Sequence, residues 1–242
     1  MRLLTAGLGV IAMCLPLAAQ DQADPFPADR PPLFNPEFKT LEQDPELVRL
    51  GLIVSSGGVE QGGVGMKCMA CHGVEGMGAR TGGIPRLAGL SAEYLEKQLK
   101  AFREGTRSSA IMTPIALGLS DGEMNAVSAY YASLDAQSLD SFPEVDQGAV
   151  QRGGALAASG LTGKDREVTA CTSCHVNAED RSEDGVPMLA AQHATYIQSQ
   201  LKAWKDGMRR NDPLNVMKTI AEKLTEEEIE AVALYYERLA PE

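Results

Sequence analysis

Two pentapeptides, Cys68-Met69-Ala70-Cys71-His72 and Cys171-Thr172-Ser173-Cys174-His175, set the frame for the whole chain. C-x-x-C-H is the attachment pattern of haem c, in which two thiols add across the vinyl groups and the next residue, His, becomes an axial ligand of the iron. The spacing matters because one tight helical turn must present both sulfurs to the porphyrin edge while the imidazole points at its centre. A disulfide within each C-x-x-C would not require His next in both copies. A zinc site built from the two pairs would need them closer than the 103 residues that separate Cys68 from Cys171. Of five Cys, only Cys14 lies outside these motifs. The expectation is two covalently attached haem c groups, one in each half.

The two halves match well beyond the motif. Gly57 pairs with Gly160, Pro85 and Leu87 with Pro187 and Leu189, and Tyr94, Gln98 and Leu99 with Tyr196, Gln200 and Leu201. Phe102 and Gly105 recur as Trp204 and Gly207, Met112, Ala116 and Leu119 as Met217, Ala221 and Leu224, and Tyr130-Tyr131 as Tyr235-Tyr236, always at an offset between 102 and 105. The chain is therefore a duplicated domain. The expected division is a signal peptide over 1–20, a Pro-rich leader over 21–44, a first domain over 45–140 and a second over 141–242, with 139–146 as linker.

Local signals make each half helical. Apolar residues recur at helical spacing over 45–56, and Tyr94, Leu95, Leu99 and Phe102 share one face of a segment over 91–104 that stops at Gly105. Ser120-Asp121-Gly122-Glu123 and Thr225-Glu226-Glu227-Glu228 read as capping boxes opening helices that run to about Leu134 and Leu239. The acidic run Glu226 to Glu228 is then mainly a helix start favoured by the dipole.

Arg2, the apolar run from Leu3 to Leu17 and the small pair Ala18-Ala19 have the form of an export signal, with Cys14 inside it. The run is short for a membrane span. The mature protein is expected to be exported and periplasmic, soluble or peripherally associated with the membrane. A net charge of −11 argues against nucleic acid as a partner and fits an acidic soluble protein.

His72 and His175 take one face of each iron, so each opposite face needs a donor. The one remaining His, His193, has no counterpart in the first half, and both sites cannot be bis-His. Among ten Met, only Met112 and Met217 recur, each eight residues before a capping hydroxyl, in a loop that can fold across a haem face. A thioether there would raise the reduction potential; the competing reading is that such a Met fills the core. Met66, Met69 and Met77 lie too near the attachment turn, and Met124, Met188 and Met208 lack partners in the repeat. The paired tyrosines read as core, and His193 as a structural or interface residue.

With these residues in place the chain resembles the dihaem class I cytochromes c, in particular the cytochrome c-four family. The resemblance rests on C-x-x-C-H-G-V-E-G from Cys68, P-R-L-A-G from Pro85, P-M-L-A-A-Q-H from Pro187, and Met ahead of L-S-D-G-E and L-T-E-E-E. It implies an all-α fold of two tandem class I cytochrome c domains, His–Met iron in both, and electron shuttling between redox partners such as a quinol-oxidising complex and a terminal oxidase. It also implies that the carbonyls of Pro85 and Pro187 hold the ligand imidazoles. Ala190-Ala191 departs from the family's Gly-rich turn, and the leader is longer than the family needs. Two other functions compete. The chain could be a dihaem subunit bound within a larger oxidoreductase at the membrane, tethered by the leader. It could be a haem enzyme such as a peroxidase, which would need one open iron. With Met112 and Met217 filling both sites, no catalytic residue and no small-molecule substrate are expected.

Overall fold

The computed structural model describes residues 41–57, 67–139, 141–163, 166–175, 185–212 and 214–241. The expected signal peptide, most of the leader, Cys14 and Met66 lie outside them. Among the described residues the chain is helical, with three isolated β-bridges and no sheet. The first half holds α1 (Pro45–Ser55), α2 (Cys68–His72), α3 (Ala92–Arg103), α4 (Met112–Leu117) and α5 (Asp121–Ala132). The second repeats the order with α6 (Gln147–Ser159), a 3-10 turn over Cys171–Ser173, α7 (Ala194–Lys205), α8 (Val216–Lys223) and α9 (Glu226–Arg238).

Local chemistry explains the boundaries. Asp44 accepts from the Glu46 and Leu47 amides at 3.0 and 3.2 Å, with Pro45 at the first helical position of α1. Both expected capping boxes form, Ser120 with Glu123 and Thr225 with Glu228. The Met112 and Met217 segments, expected as loops, are short helices. Ser109 Oγ accepts from the Met112 amide at 3.0 Å, and Asp212 Oδ2 accepts from the Met217 amide at 2.5 Å, so each helix start has an acceptor supplied from upstream.

In each half the first helix crosses the last at a glycine. A Cβ on Gly51 would stand 1.9 Å from the Ala126 carbonyl oxygen, and one on Gly153 would stand 2.0 Å from that of Ala231. The backbones of α1 and α5, and of α6 and α9, therefore touch directly. Around the crossings pack Leu47, Val54, Leu95 and Tyr130 in the first half and Leu156, Ile197, Ile229 and Val232 in the second. The turn after Pro187 keeps the first half's backbone despite its changed sequence: Gly89 has φ 70° and Ala191 φ 53°. An alanine is held in that left-handed conformation with its amide bonded to the carbonyls of Tyr236 and Leu239, both at 2.9 Å.

The halves pack on each other through two contacts. One has pseudo-twofold symmetry: Ser108 N donates to Met208 O at 2.9 Å and Arg210 N to Thr106 O at 2.6 Å, each residue facing the equivalent of its own neighbour. The other is asymmetric and centres on Arg86, which is fully buried. Its guanidinium donates to the carbonyls of Ala190 (2.7 Å), Ala191 (3.2 Å) and Ala88, while Gln192 bridges its backbone amide and carbonyl, both at 2.9 Å. Beside it, Arg80 pairs with the buried Glu237 at 2.9 Å, and Thr195 Oγ1 donates to Arg80 O at 2.8 Å.

Candidate functional site

The five residues of α2 put Cys68 and Cys71 on one turn and bury His72 at its end, where Gly73 leaves the helix with φ 78°. The equivalent segment begins as the 3-10 turn Cys171–Ser173 and continues to Cys174 and His175. None of the four cysteines is in a disulfide. Burial pushes the Cys68 and Cys171 thiols up, so neither is the depressed thiolate of a redox dithiol. Among the described residues no group of three or more His, Cys, Asp and Glu could hold a bare metal ion.

His72 Nδ1 donates to Pro85 O at 3.0 Å, and His175 Nδ1 to Pro187 O at 2.7 Å. A carbonyl can only accept, so the proton sits on Nδ1 and each Nε2 keeps its lone pair for another partner, the usual arrangement of a ligating imidazole. Burial lowers the His72 pKa and so also favours the neutral ring, against the opposing pull of the Pro85 carbonyl.

A continuous cavity of about 930 Å³ reaches both motifs, at the upper end of ordinary ligand pockets of roughly 300–1,000 Å³. Its wall includes Cys68, Cys71, His72, Pro85 and Met112 from the first half and Cys171, Cys174, His175, Pro187 and Met217 from the second. All ten sequence-derived residues thus meet on one surface. Met188 also lines it, directly after Pro187. Met124 is instead fully buried beside Phe102 and Ala116, Met69 packs into the first core, and Met208 is exposed.

Four buried donors on the cavity wall, Ser128 Oγ, Tyr131 Oη, Tyr236 Oη and Trp204 Nε1, have no hydrogen-bond partner among the described residues. Burial drives both phenols strongly upward, which keeps them protonated. Buried polar groups are seldom left unpaired. Thiols at the edge, imidazoles protonated on Nδ1, thioethers, an apolar wall and orphan donors together fit a large flat cofactor with polar substituents, and in each half that set fits one haem c.

His193 lies between the halves and not on the cavity: its Nε2 donates to Met77 O at 2.9 Å, and its buried Nδ1 has no partner. Burial lowers its pKa; the Met77 carbonyl and Glu237 oppose this, and Arg80 and Arg86 add to it. The ring is therefore neutral in the folded protein, whereas an unfolded histidine titrates near about 6.5. The stability this provides is complete above that value and is lost as pH falls below it. The denaturation midpoint of the protein is expected to drop between pH 7.5 and 5, with a shallower slope in His193→Gln; equal slopes would show that His193 takes no part.

Sequence reasoning passed over Arg86, Arg107 and Arg209, and also the crossing glycines Gly51 and Gly153. Arg107 and Arg209 stand 102 apart, as do the two glycines, so the repeat offset itself carried the signal.

The chain matches the cytochrome c family over residues 64–135. It is 42% identical over 176 residues to the thiosulfate dehydrogenase electron acceptor of Stutzerimonas stutzeri (strain A1501), covering 71% of this chain and 78% of that one. A solved thiosulfate dehydrogenase (TsdBA) from Marichromatium purpuratum superposes with a TM-score of 0.69 at 34% identity over 78% of this chain, which spans 40% of that protein's length. Reduced recombinant cytochrome c4 from Pseudomonas stutzeri gives a TM-score of 0.61 at 32% identity, covering 71% of this chain and 93% of that one.

Proposed function

This chain belongs to the dihaem cytochrome c family that includes cytochrome c4, and from that membership we propose that it accepts electrons from a thiosulfate dehydrogenase outside the cytoplasm and hands them to a further respiratory partner. Its fold is two tandem class I cytochrome c domains, its cofactors are two covalently bound haem c groups, and its work is electron transfer. Haem supplies one-electron exchange at iron. In this reading Cys68 and Cys71, and Cys171 and Cys174, form the thioether bonds. His72 and His175 would hold the irons together with Met112 and Met217, and Pro85 and Pro187 would fix the imidazoles.

The observation that carries the reading is the matched set on one cavity: in each half, an imidazole pinned by a proline carbonyl and a methionine delivered by a separate helix. If Met112 and Met217 supply the second ligand of each iron, thiosulfate would have no position to bind, and its oxidation would belong to the partner. Coupling of two thiosulfate anions through a sulfur–sulfur bond releases two electrons, the number two one-electron centres hold. Among the described residues no helix is long and apolar enough to cross a membrane. At the cavity the exposed Ile111 beside Met112 is matched by the exposed Val216 beside Met217, but the outer faces of α4 and α8 differ: the exposed Leu117 has Glu222 as its equivalent, close in sequence to Lys218 and Lys223. An uncharged face suits a closely fitted partner and a charged one suits a transient partner, which favours the first half as the dehydrogenase face.

Rapid mixing of the oxidised holoprotein with a thiosulfate dehydrogenase and thiosulfate tests this. Both haems are expected to become reduced, and more slowly in Leu117→Glu. Reduction no faster than without the dehydrogenase would overturn the partner. Steady thiosulfate oxidation by the chain alone would overturn the carrier role. The longer solved thiosulfate dehydrogenase, of which this chain matches 40%, favours a lasting complex as a second reading, and co-purification of chain and dehydrogenase separates it from a free shuttle.

A further inference from the structure

Two arginines meet where the halves join, and among the described residues neither has an acid partner. Arg107 is 5% exposed and Arg209 4%. Arg107 lies over the Phe102 ring, 4.5 Å from its centroid, and Arg209 over Trp204 at 3.9 Å. Arg107 donates to Gln98 Oε1 (3.1 Å) in its own half and crosses to Gln200 Oε1 and Tyr196 Oη, both at 2.6 Å. Arg209 does the reverse, donating to Gln200 Oε1 (3.0 Å) and Asn211 Oδ1 (3.1 Å), then crossing to Gln98 Oε1 (2.9 Å) and Tyr94 Oη (3.3 Å). Each arginine, its stacking ring, its glutamine and its tyrosine recur at an offset of 102, and all of them line the cavity that reaches both C-x-x-C-H motifs.

Every acceptor in this cluster is neutral. Taking a guanidinium out of water is costly, neutral acceptors repay it only in part, and a second like charge alongside adds repulsion. Burial and the neighbouring Arg107 charge push the Arg209 guanidinium below its ordinary value. Burial acts to raise the Tyr94 phenol, and the two guanidiniums outweigh it and pull it down. The cluster is thus an uncompensated dication with the orphan Trp204 Nε1 beside it. Such a seat calls for anions on its open, cavity side.

We propose that Arg107 and Arg209 form one shared seat for the carboxylates of both haems, and that they act as positioning residues coupling the two reduction potentials. The proposal rests on the dihaem reading above. A nearby cation favours the reduced iron, which carries one positive charge less. Because each guanidinium is bonded to acceptors from both halves, removing either charge is felt at both irons and lowers both potentials.

The test is spectroelectrochemical titration of the holoprotein and of Arg107→Gln, Arg209→Gln and the corresponding Lys variants. Each Gln variant is expected to lower both midpoints, with at least a tenfold fall in the one-electron reduction equilibrium at one haem, about 59 mV; Lys is expected to restore most of the loss. Gln98→Glu, nearly isosteric, places a carboxylate within the cluster and is expected to lower both midpoints without opening a cavity, which keeps the test decisive where a Gln variant fails to fold. Unchanged potentials with only a lower melting temperature would reduce the arginines to structural residues. A shift confined to the haem of the substituted half would overturn the shared seat. Either outcome with two intact haems per chain sinks this proposal alone, whereas fewer than two haems in the native protein sinks the dihaem reading.

Discussion

Met112→Ala and Met217→Ala are each expected to abolish the methionine–iron charge-transfer absorption of one haem and to leave that of the other. Each thioether stands on the cavity that its own half's imidazole faces, and each is held there by its backbone, with the amide of Met112 bonded to Ser109 and that of Met217 to Asp212. A neighbouring methionine has no equivalent anchor: Met124 is locked into the core and Met208 is exposed. Axial ligands move haem potentials over a span of roughly 0.8 V, and a thioether lies at the high end. The potential of the substituted haem is therefore expected to fall by on the order of 0.1 V or more. Spectra and potentiometric titration of the two variants check this. If both variants lost the same component, or if Met217→Ala kept its band because Met188 replaced it, the paired assignment would be wrong.

Gly51→Ala and Gly153→Ala are each expected to be strongly destabilising although they add a single methyl group. The new Cβ would have to displace a carbonyl oxygen of the facing helix from 1.9 or 2.0 Å, and backbone in the middle of a helix cannot swing aside as a side chain can. Forced overpacking of a core costs about 1–3 kcal/mol and sometimes more, and a clash with two main chains belongs at or above the top of that range. Gly154 provides the control, since its Cβ would meet only the Tyr235 ring at 3.1 Å. Denaturant midpoints of the three variants should fall steeply for Gly51 and Gly153 and slightly for Gly154. Comparable losses in all three would mean that helix propensity, not the crossing, sets the effect.

The parts that were legible beforehand share one property: their physics is local. A C-x-x-C-H turn closes within five residues, so its chemistry can be read without knowing what surrounds it. The capping boxes at Ser120 and Thr225 close within four, and both form as expected. The recurrence of Met112 and Met217 marked them as a pair, yet the segment expected as a loop is helix, because a side-chain acceptor three or five residues upstream can start a turn that apolar spacing alone does not announce. His193 could be read as a residue without a counterpart, and its partner, the Met77 carbonyl 116 residues away, could not.

Sequence by itself determined the two C-x-x-C-H turns, the duplication and the helical class, and it marked the residues proposed to bind iron, since each of these depends on neighbours in the chain or on comparison of one half with the other. Tertiary structure alone decided that the ten site residues share a cavity, that Gly51 and Gly153 are the crossing points, and that Arg107 and Arg209 stack side by side with acceptors from opposite halves. The reason is that a contact between residues about a hundred positions apart is fixed by how whole helices pack. No pattern within the turn that follows α3 or α7 distinguishes an arginine that reaches water from one that reaches the other domain.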